Sequence, residues 1–323
     1  MKAAVIGTAS VEIREVPKPS PGPEQVLVRV RASGLNRADL IMASGHMHGT
    51  AGGPGTSLGL EFAGEVAEVG SGVKGIKPGD RVMCSGGGGY AEYALADMGR
   101  ATPIPANNMS WVQAATLPIA LQTMHNAVVT AGRMKSGDRV MIQGASSGVG
   151  LMGLQIAKLK GASLVVGTST NAARRARLAE FGCDLAIDTT DAAWPDQVSA
   201  ATGGTGIDLT VDQVSNGVMN GNMKAAAVLG RIVNVGRLGG FSGGFDFDLH
   251  AAKRIDYIGV TFRTRSVEEV REIVRLWRED LSPAVEAGTL RLPLDRTFTL
   301  DQAAAALAHM KANHHFGKIV LEV

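Results

Sequence analysis

Residues 143–150 read QGASSGVG, a glycine-rich run directly after the apolar stretch DRVMIQ at 138–143. Glycines at a strand-to-helix turn let the backbone curl tightly and approach a ligand, and the N–H groups that open the helix attract phosphate. The literal G-x-G-x-x-G pattern lies later, at Gly148-Val149-Gly150-Leu151-Met152-Gly153. That register separates strand from motif and puts Gly153 a turn inside the helix. The earlier register is preferred. Gly144 then follows the strand as the turn glycine, and Gly150 sits on the first helical turn, where a side chain would push helix from strand. The N–H groups of Ser147, Gly148 and Val149 face a pyrophosphate, and the Ser146 and Ser147 hydroxyls add donors. Alone, the run also fits a plain strand-to-helix turn.

The second strand selects the dinucleotide. An NAD site carries Asp or Glu at its end, for the ribose 2′-hydroxyl. Here the end reads Val166-Gly167-Thr168-Ser169-Thr170, without an acid, and Arg174 and Arg175 follow a helical turn later. Small hydroxyls leave room for a 2′-phosphate, and arginine holds one with paired donors. The expectation is NADP(H), with Thr168, Ser169 and Arg174 at the phosphate. Arg175 is the competing candidate, and a solvated helix face is the alternative for both arginines.

These stretches need a scaffold that presents strand ends to a ligand. Strand-like segments at 138–143, 163–169, 184–189, 206–214, 231–236 and 254–262 are interleaved with helical ones at 149–161, 171–182 and 216–230. This alternation builds a parallel sheet with helices on both faces, an α/β fold. Residues 1–120 read instead as short strands between turns, with alternation from Val26 to Val30, strands at Glu65–Val69 and Arg81–Met83, and Pro78-Gly79-Asp80 as turn chemistry. That half is a compact β barrel or sandwich. After the sheet, a long amphipathic helix over 266–288 is expected to break at Pro283. A helix at 300–313 and the strand GKIVLEV follow, and this tail is expected to complete the first domain.

The chain has 323 residues, a length that suggests two domains, and 45% are hydrophobic, enough for a sizeable core. Net charge is +2, from 32 basic and 30 acidic residues, and no basic patch with interleaved aromatics appears. No nucleic-acid partner is expected. The two cysteines, Cys84 and Cys183, cannot form a disulfide framework or a four-cysteine zinc lobe, which suits a reducing cytoplasm. The N-terminal residues show no signal-peptide pattern, and no apolar run reaches the ~20 residues of a membrane helix, so neither export nor a membrane is expected.

As a set, GLNRADL (34–40), LGLEFAGEVAEVG (58–70), GDRVM (79–83), GGYAEYA (88–94), GASSGVG (144–150) and GKIVLEV (317–323) resemble the medium-chain dehydrogenase/reductase superfamily. The zinc-free quinone oxidoreductase branch is most similar. The resemblance implies a GroES-like β-barrel catalytic domain from 1–120 with 263–323. It implies a Rossmann doubly wound parallel-sheet NADP(H)-binding domain over 121–262, and an active-site cleft between the two. It also implies an NADPH preference and a homodimer formed through the cofactor-domain sheets. Zinc-dependent members carry Cys where this chain has Asn36 and His where it has Leu60. The cysteines of their structural zinc loop would fall near 85–110, where this chain has none. Three protein ligands cannot be assembled there, so no metal is expected. His46 and His48 make a bare H-x-H in a glycine-rich loop, and neither is assigned a metal.

Without zinc to acidify an alcohol, the accessible substrates are already electrophilic: quinones, or C=C bonds conjugated to a carbonyl. The protein then needs to bind NADPH, exclude water and hold the acceptor near the nicotinamide. The resemblance implies Asn36, Tyr90 and Thr123 as catalytic candidates. Each also has a structural reading: a loop hydrogen bond for Asn36, a half-buried strand aromatic for Tyr90, a helix-backbone bond for Thr123. Gly236, Arg237, Phe262 and Arg263 match segments lining the nicotinamide half, and Lys318 a position near the adenosine phosphates. Met42 and Leu60 are expected in a permissive apolar pocket. Asp39, Glu61 and Asp80 are read as structural carboxylates. The leading function is NADPH-dependent quinone reduction. Reduction of an enone, 2-alkenal or enoyl thioester is its rival, and an NADPH-binding protein with little catalysis is the reading from another class.

Overall fold

A computed structural model of the chain describes every residue except Thr8, Ala9, His48, Thr50, Ala51 and Asn107. The expectation for His48 therefore lies outside the described residues. The chain divides into two units, Met1–Ile119 with Phe262–Val323, and Ala120–Thr261.

The first stretch supplies β1 (Lys2–Ile6), β2 (Val11–Glu15), β3 (Gln25–Gly34), β4 (Glu61–Val69), β5 (Arg81–Ser85), β6 (Tyr93–Asp97) and β7 (Ala101–Pro103). The alternation in β3 puts Val26, Val28 and Val30 into one core with Phe62, Val66, Val82 and Cys84. β3 pairs antiparallel with β4 and with β6, and β4 continues to β5 and β7. Two short helices belong to this stretch, α1 (Arg37–Ala43) and α2 (Trp111–Ala114). Asp80 accepts the N–H of Lys77 at 2.9 Å, so it does close a turn.

After α3 (Pro118–His125), which runs into a π-helical turn over Asn126–Thr130, the second unit is built on one sheet. Its strands are β8 (Arg139–Gln143), β9 (Leu164–Thr168), β10 (Leu185–Ile187), β11 (Ile207–Asp212), β12 (Ala226–Asn234) and β13 (Asp256–Gly259). All pairs are parallel, in the order β10-β9-β8-β11-β12-β13. The winding direction reverses between β8 and β11, the place where doubly wound sheets bind ligands. The crossovers carry α4 (Gly148–Leu159), α5 (Ala172–Arg175), α6 (Trp194–Ala201), α7 (Met219–Ala225) and α8 (Phe247–Lys253).

Three differences from the sequence reading have identifiable causes. The helix expected over 171–182 is α5 followed by a 3₁₀ turn at Leu178–Phe181. Leu178 and Phe181 are both buried, and a three-residue period aligns them on one face. The helix expected to reach Gly230 ends at Ala225, because Ala226 already pairs with Ile207 in the sheet. α6 was not foreseen; it buries only Trp194, Pro195 and Val198, with the proline in its first turn.

The return segment holds α9 (Val267–Glu286), β14 (Leu294–Thr299), α10 (Ala303–Ala312) and β15 (Lys318–Glu322). α9 runs unbroken through Pro283. The proline sits in the last turn, so only one backbone bond near an exposed end is lost. Val270, Ile273, Val274, Trp277 and Leu281 form the buried stripe that holds the helix down. β15 pairs antiparallel with β3 and parallel with β14, so the tail completes the first sheet. Among the described residues no helix is long and apolar enough to cross a membrane.

Candidate active site

Gly144 follows β8 directly and has φ +70°, a conformation that L side chains rarely adopt. A Cβ on Gly150 would lie 2.6 Å from the Gly144 carbonyl oxygen and 2.7 Å from Ala145 Cα. Gly150 is therefore the glycine that lets helix and strand approach. A Cβ on Gly153 would instead meet the flexible side chain of Met124 at 3.0 Å. The Gly144–Gly150 register is the one built here, and the later pattern is an accident of spacing.

The turn also corrects part of the donor assignment. Ser147 is the N-cap of α4: its Oγ accepts the Gly150 N–H at 3.0 Å and lies 3.0 Å from the Gly144 carbonyl and 3.1 Å from Gln213 Oε1. Its own N–H donates to Gly144 at 3.2 Å. Ser147 is spent on holding the turn. The N–H groups of Gly148 and Val149 have no backbone acceptor among the described residues and open the helix, as an anion cradle requires. This cradle fits the pyrophosphate of a dinucleotide.

At the end of β9, Thr168 is buried. Its Oγ1 donates to Gln143 Oε1 at 2.7 Å and accepts the Gly144 N–H at 3.0 Å. The hydroxyl expected at a 2′-phosphate is thus turned inward to brace the glycine turn, and the reading of Thr168 as a phosphate ligand is corrected. Ser169 Oγ donates to Ser146 Oγ at 3.0 Å, joining the loop to the strand end. Arg175 binds Asp188 at 2.9 Å and the Ser169 carbonyl at 2.8 Å. Arg174 lies beside it, half-buried on α5.

A buried polar frame runs along the carboxyl edge of the sheet. Gln143 Nε2 donates to Asn222 Oδ1 at 2.6 Å, and Asn222 Nδ2 to Asp212 Oδ2 at 3.0 Å. Asp212 Oδ1 accepts the N–H groups of Val214 and Ser215 at 2.7 and 2.9 Å. Ser215 Oγ donates to the Gly236 carbonyl at 2.7 Å. Gln213 Nε2 reaches the Gln143 carbonyl at 3.1 Å. Burial pushes the Asp212 carboxyl above its ordinary range. Gly236 lies so close to Gln213 that a Cβ would come within 2.7 Å of its carbonyl oxygen. Arg237 lines a cavity of about 160 Å³ with Asn234, Phe241, Phe245 and Tyr257. Gln143, Asp212, Gln213 and Asn222 were not singled out in the sequence. For Gln143, Asp212 and Gln213, polar residues closing otherwise apolar strands were the available signal; Asn222, inside α7, gave none.

In the other unit the expected donors prove to be structural. Tyr90 is fully buried in a core with Leu35, Met42 and Leu58, and its hydroxyl donates to Asp39 Oδ2 at 2.9 Å. Asn36 precedes α1; its Nδ2 donates to Glu61 Oε1 at 2.9 Å, and its N–H to Asp39 Oδ2 at 2.7 Å. Lys318 is buried and divides its ammonium among the Leu35 carbonyl at 2.8 Å, Asn36 Oδ1 at 3.2 Å and Glu61 Oε1 at 2.5 Å. Glu61 Oε2 accepts the Ile119 N–H at 2.9 Å. Lys318 has three donors and three internal acceptors, so the expectation that it binds adenosine phosphates is corrected. Asn36 and Tyr90 are corrected likewise, because each polar group is occupied internally. Met42 belongs to the core, 2% exposed, rather than to a pocket wall, and Leu60 packs half-buried against the same core.

Thr123 is the exception. Half-buried on α3, its hydroxyl has no hydrogen bond among the described residues, neither to helix backbone nor elsewhere. Phe262 is half-buried under Arg265, whose guanidinium lies 5.9 Å from its ring, and the Arg263 backbone packs against Gly49. Both belong to the Met1–Ile119 and Phe262–Val323 unit, not to the unit with the glycine turn.

Residues 22–106 match the alcohol dehydrogenase GroES-like domain, and residues 148–279 match the zinc-binding dehydrogenase domain. Quinone oxidoreductase of Mus musculus is 30% identical over 308 residues, 94% of this chain and 90% of that protein. A mycocerosic acid synthase-like polyketide synthase of Mycobacterium tuberculosis is 31% identical over 304 residues, 94% of this chain, but the chain spans only 14% of that protein's length. Quinone oxidoreductase of Pseudomonas syringae pv. tomato superposes with a TM-score of 0.88 at 25% identity, covering 100% of this chain and 99% of that one. Parallel sheet, glycine turn and the second, largely antiparallel sheet, taken with these matches, place the chain among oxidoreductases with a nicotinamide cofactor. The chain belongs to the medium-chain dehydrogenase/reductase superfamily, in its zinc-independent branch. The side chains at the two zinc-ligand positions agree: Leu60 has no donor atom, and the Asn36 amide is bound to Glu61 and Lys318.

Proposed function

We propose that the chain is an NADPH-dependent quinone oxidoreductase that works without a metal ion. The observation carrying this reading is the second strand end. β9 closes on Thr168-Ser169-Thr170 with no carboxylate to receive a ribose 2′-hydroxyl, and α5 follows with Arg174 and Arg175. Arg174 and Arg175 are both within reach of the strand end on α5, and a 2′-phosphate would be held by one of these two guanidiniums, with Arg174 the first candidate. Gly148 and Val149 hold the pyrophosphate through their N–H groups. Bound there, the dinucleotide supplies a hydride. The protein's part is then to orient and to exclude water, and orientation alone is worth roughly 7–11 kcal/mol. With Asn36 and Tyr90 committed elsewhere, Thr123 is the one of the three candidates whose hydroxyl is left to donate to the acceptor's carbonyl oxygen. A quinone suits so sparse a donor set, because the hydroquinone anion takes its proton from solvent.

The polyketide synthase match favours a second reading, reduction of a C=C bond conjugated to a carbonyl in an enone, 2-alkenal or enoyl thioester, because the acceptor would then be an acyl chain. The experiment is NADPH oxidation against a panel of quinones, enals, enones and enoyl thioesters with product analysis. Hydroquinone as the fastest product supports the first reading, and saturated carbonyl product replaces it with the second. NADPH binding without turnover of any acceptor would leave only a binding protein.

We also infer a homodimer in the cytoplasm. β13 is an edge strand that carries exposed Tyr257, with exposed Phe247 at the start of α8, which a partner strand would cover, and Cys84 and Cys183 are buried free thiols.

A further inference from the structure

We propose that Thr168 and Asn222 are positioning residues for the bound dinucleotide, acting through Gln143 and Asp212 and touching no part of the ligand themselves. The inference rests on the dinucleotide reading above and deepens it.

The glycine turn needs an external brace. Gly144 holds a left-handed conformation, and its N–H points into the protein rather than at a ligand. Thr168 Oγ1 accepts a hydrogen bond from that N–H and donates its own O–H to Gln143 Oε1. The second end of the Gln143 amide then selects Asn222, and the second end of the Asn222 amide selects Asp212. Each primary amide therefore has one possible orientation, and the order of donors is fixed from β9 to β11. Asp212 anchors the frame with a carboxylate that has no cation beside it, only N–H donors. The same two N–H groups fix Ser215, whose hydroxyl grips the carbonyl of Gly236 after β12. Gln213 adds a parallel strut from the Gln143 carbonyl to the N-cap Ser147.

The frame thus ties the pyrophosphate end of the sheet, at Gly144 and Ser147, to the segment after β12. It lies below the ligand-bearing edge, and Thr168, Asn222 and Asp212 are each at most 1% exposed. A residue that braces the turn affects every dinucleotide alike. A residue that binds the 2′-phosphate affects only NADPH. The two roles of Thr168 therefore separate cleanly.

The test is titration of NADPH and NADH into wild type, Thr168→Val and Thr168→Ser, with melting curves to establish folding. Valine keeps the shape but leaves Gly144 N–H and Gln143 Oε1 without partners. The expected result is about tenfold weaker binding of both dinucleotides, by the same factor, with serine restoring both. If the valine variant does not fold, Gln213→Ala cuts the frame where it meets the N-cap Ser147, at a residue 6% exposed, and carries the same expectation. Loss confined to NADPH, or no loss in a folded variant, overturns the inference. Failure of folded wild type to bind either dinucleotide would instead overturn the dinucleotide reading itself, and this proposal with it.

Discussion

Two buried carboxylates govern the chemistry of individual residues. Glu61 is paired with Lys318, but Asp39 has only the Asn36 N–H and the Tyr90 hydroxyl, both on Oδ2, and Oδ1 has no partner. Burial raises the Asp39 carboxyl from its ordinary 3.8 to about 7. Its folded value lies above its unfolded one, so its contribution to stability is complete below 3.8 and is lost as the pH rises through about 7. Thermal unfolding across this window is expected to show wild type losing stability towards the basic side and Asp39→Asn losing markedly less; parallel profiles would contradict this origin. Lys318→Met leaves Glu61 charged and unpaired in the core and is expected to cost about 3–5 kcal/mol in denaturant unfolding. That loss should come without selective weakening of NADPH over NADH, because the ammonium faces inward. These pairings were not legible in the sequence. The resemblance ties the motifs of Asn36 and Tyr90 to a cleft and that of Lys318 to the adenosine phosphates, and only the side-chain directions reveal that each is satisfied internally.

At the scale of elements, the glycine turn shows how far spacing alone can reach. The strand end at Gln143 fixed the register, because a turn glycine must follow its strand and a packing glycine must lie on the first helical turn. Gly150→Ala is expected to abolish dinucleotide binding, since its Cβ would strike backbone at 2.6 Å. Gly153→Ala meets only side-chain ends, of Met124 at 3.0 Å and Ile142 at 3.3 Å, and should bind within a fewfold of wild type. Equal losses in the two variants, read by titration, would refute the register. The parallel sheet was legible because its strands are apolar runs broken by helical periodicity. Leu178–Phe181, the end of α7 and the unbroken α9 were not, since each depends on packing partners distant in sequence. α6 escaped notice because a short polar helix carries little periodic signal.

At the scale of the molecule, strand order and the return of β15 to β3 define two units of different construction, one parallel and wound on both sides, one largely antiparallel. Among the described residues β13 leaves an unpaired edge that carries exposed Tyr257, and Phe247 on α8 is exposed as well. Sedimentation is expected to find a dimer for wild type and a monomer for Phe247→Lys with Tyr257→Lys; a dimer that survives both changes would locate the interface elsewhere. The central claim is reduction of an electrophilic carbonyl by NADPH without a metal. Its most direct test is the rate of nicotinamide oxidation with benzoquinone, measured on chelator-treated, metal-analysed protein with NADPH and with NADH. The account predicts turnover with NADPH that chelation leaves unchanged and a kcat/KM at least about tenfold lower with NADH, the loss of one charge-assisted phosphate contact. Stoichiometric zinc whose removal abolishes turnover and whose addition restores it, or equal use of the two dinucleotides, would contradict it.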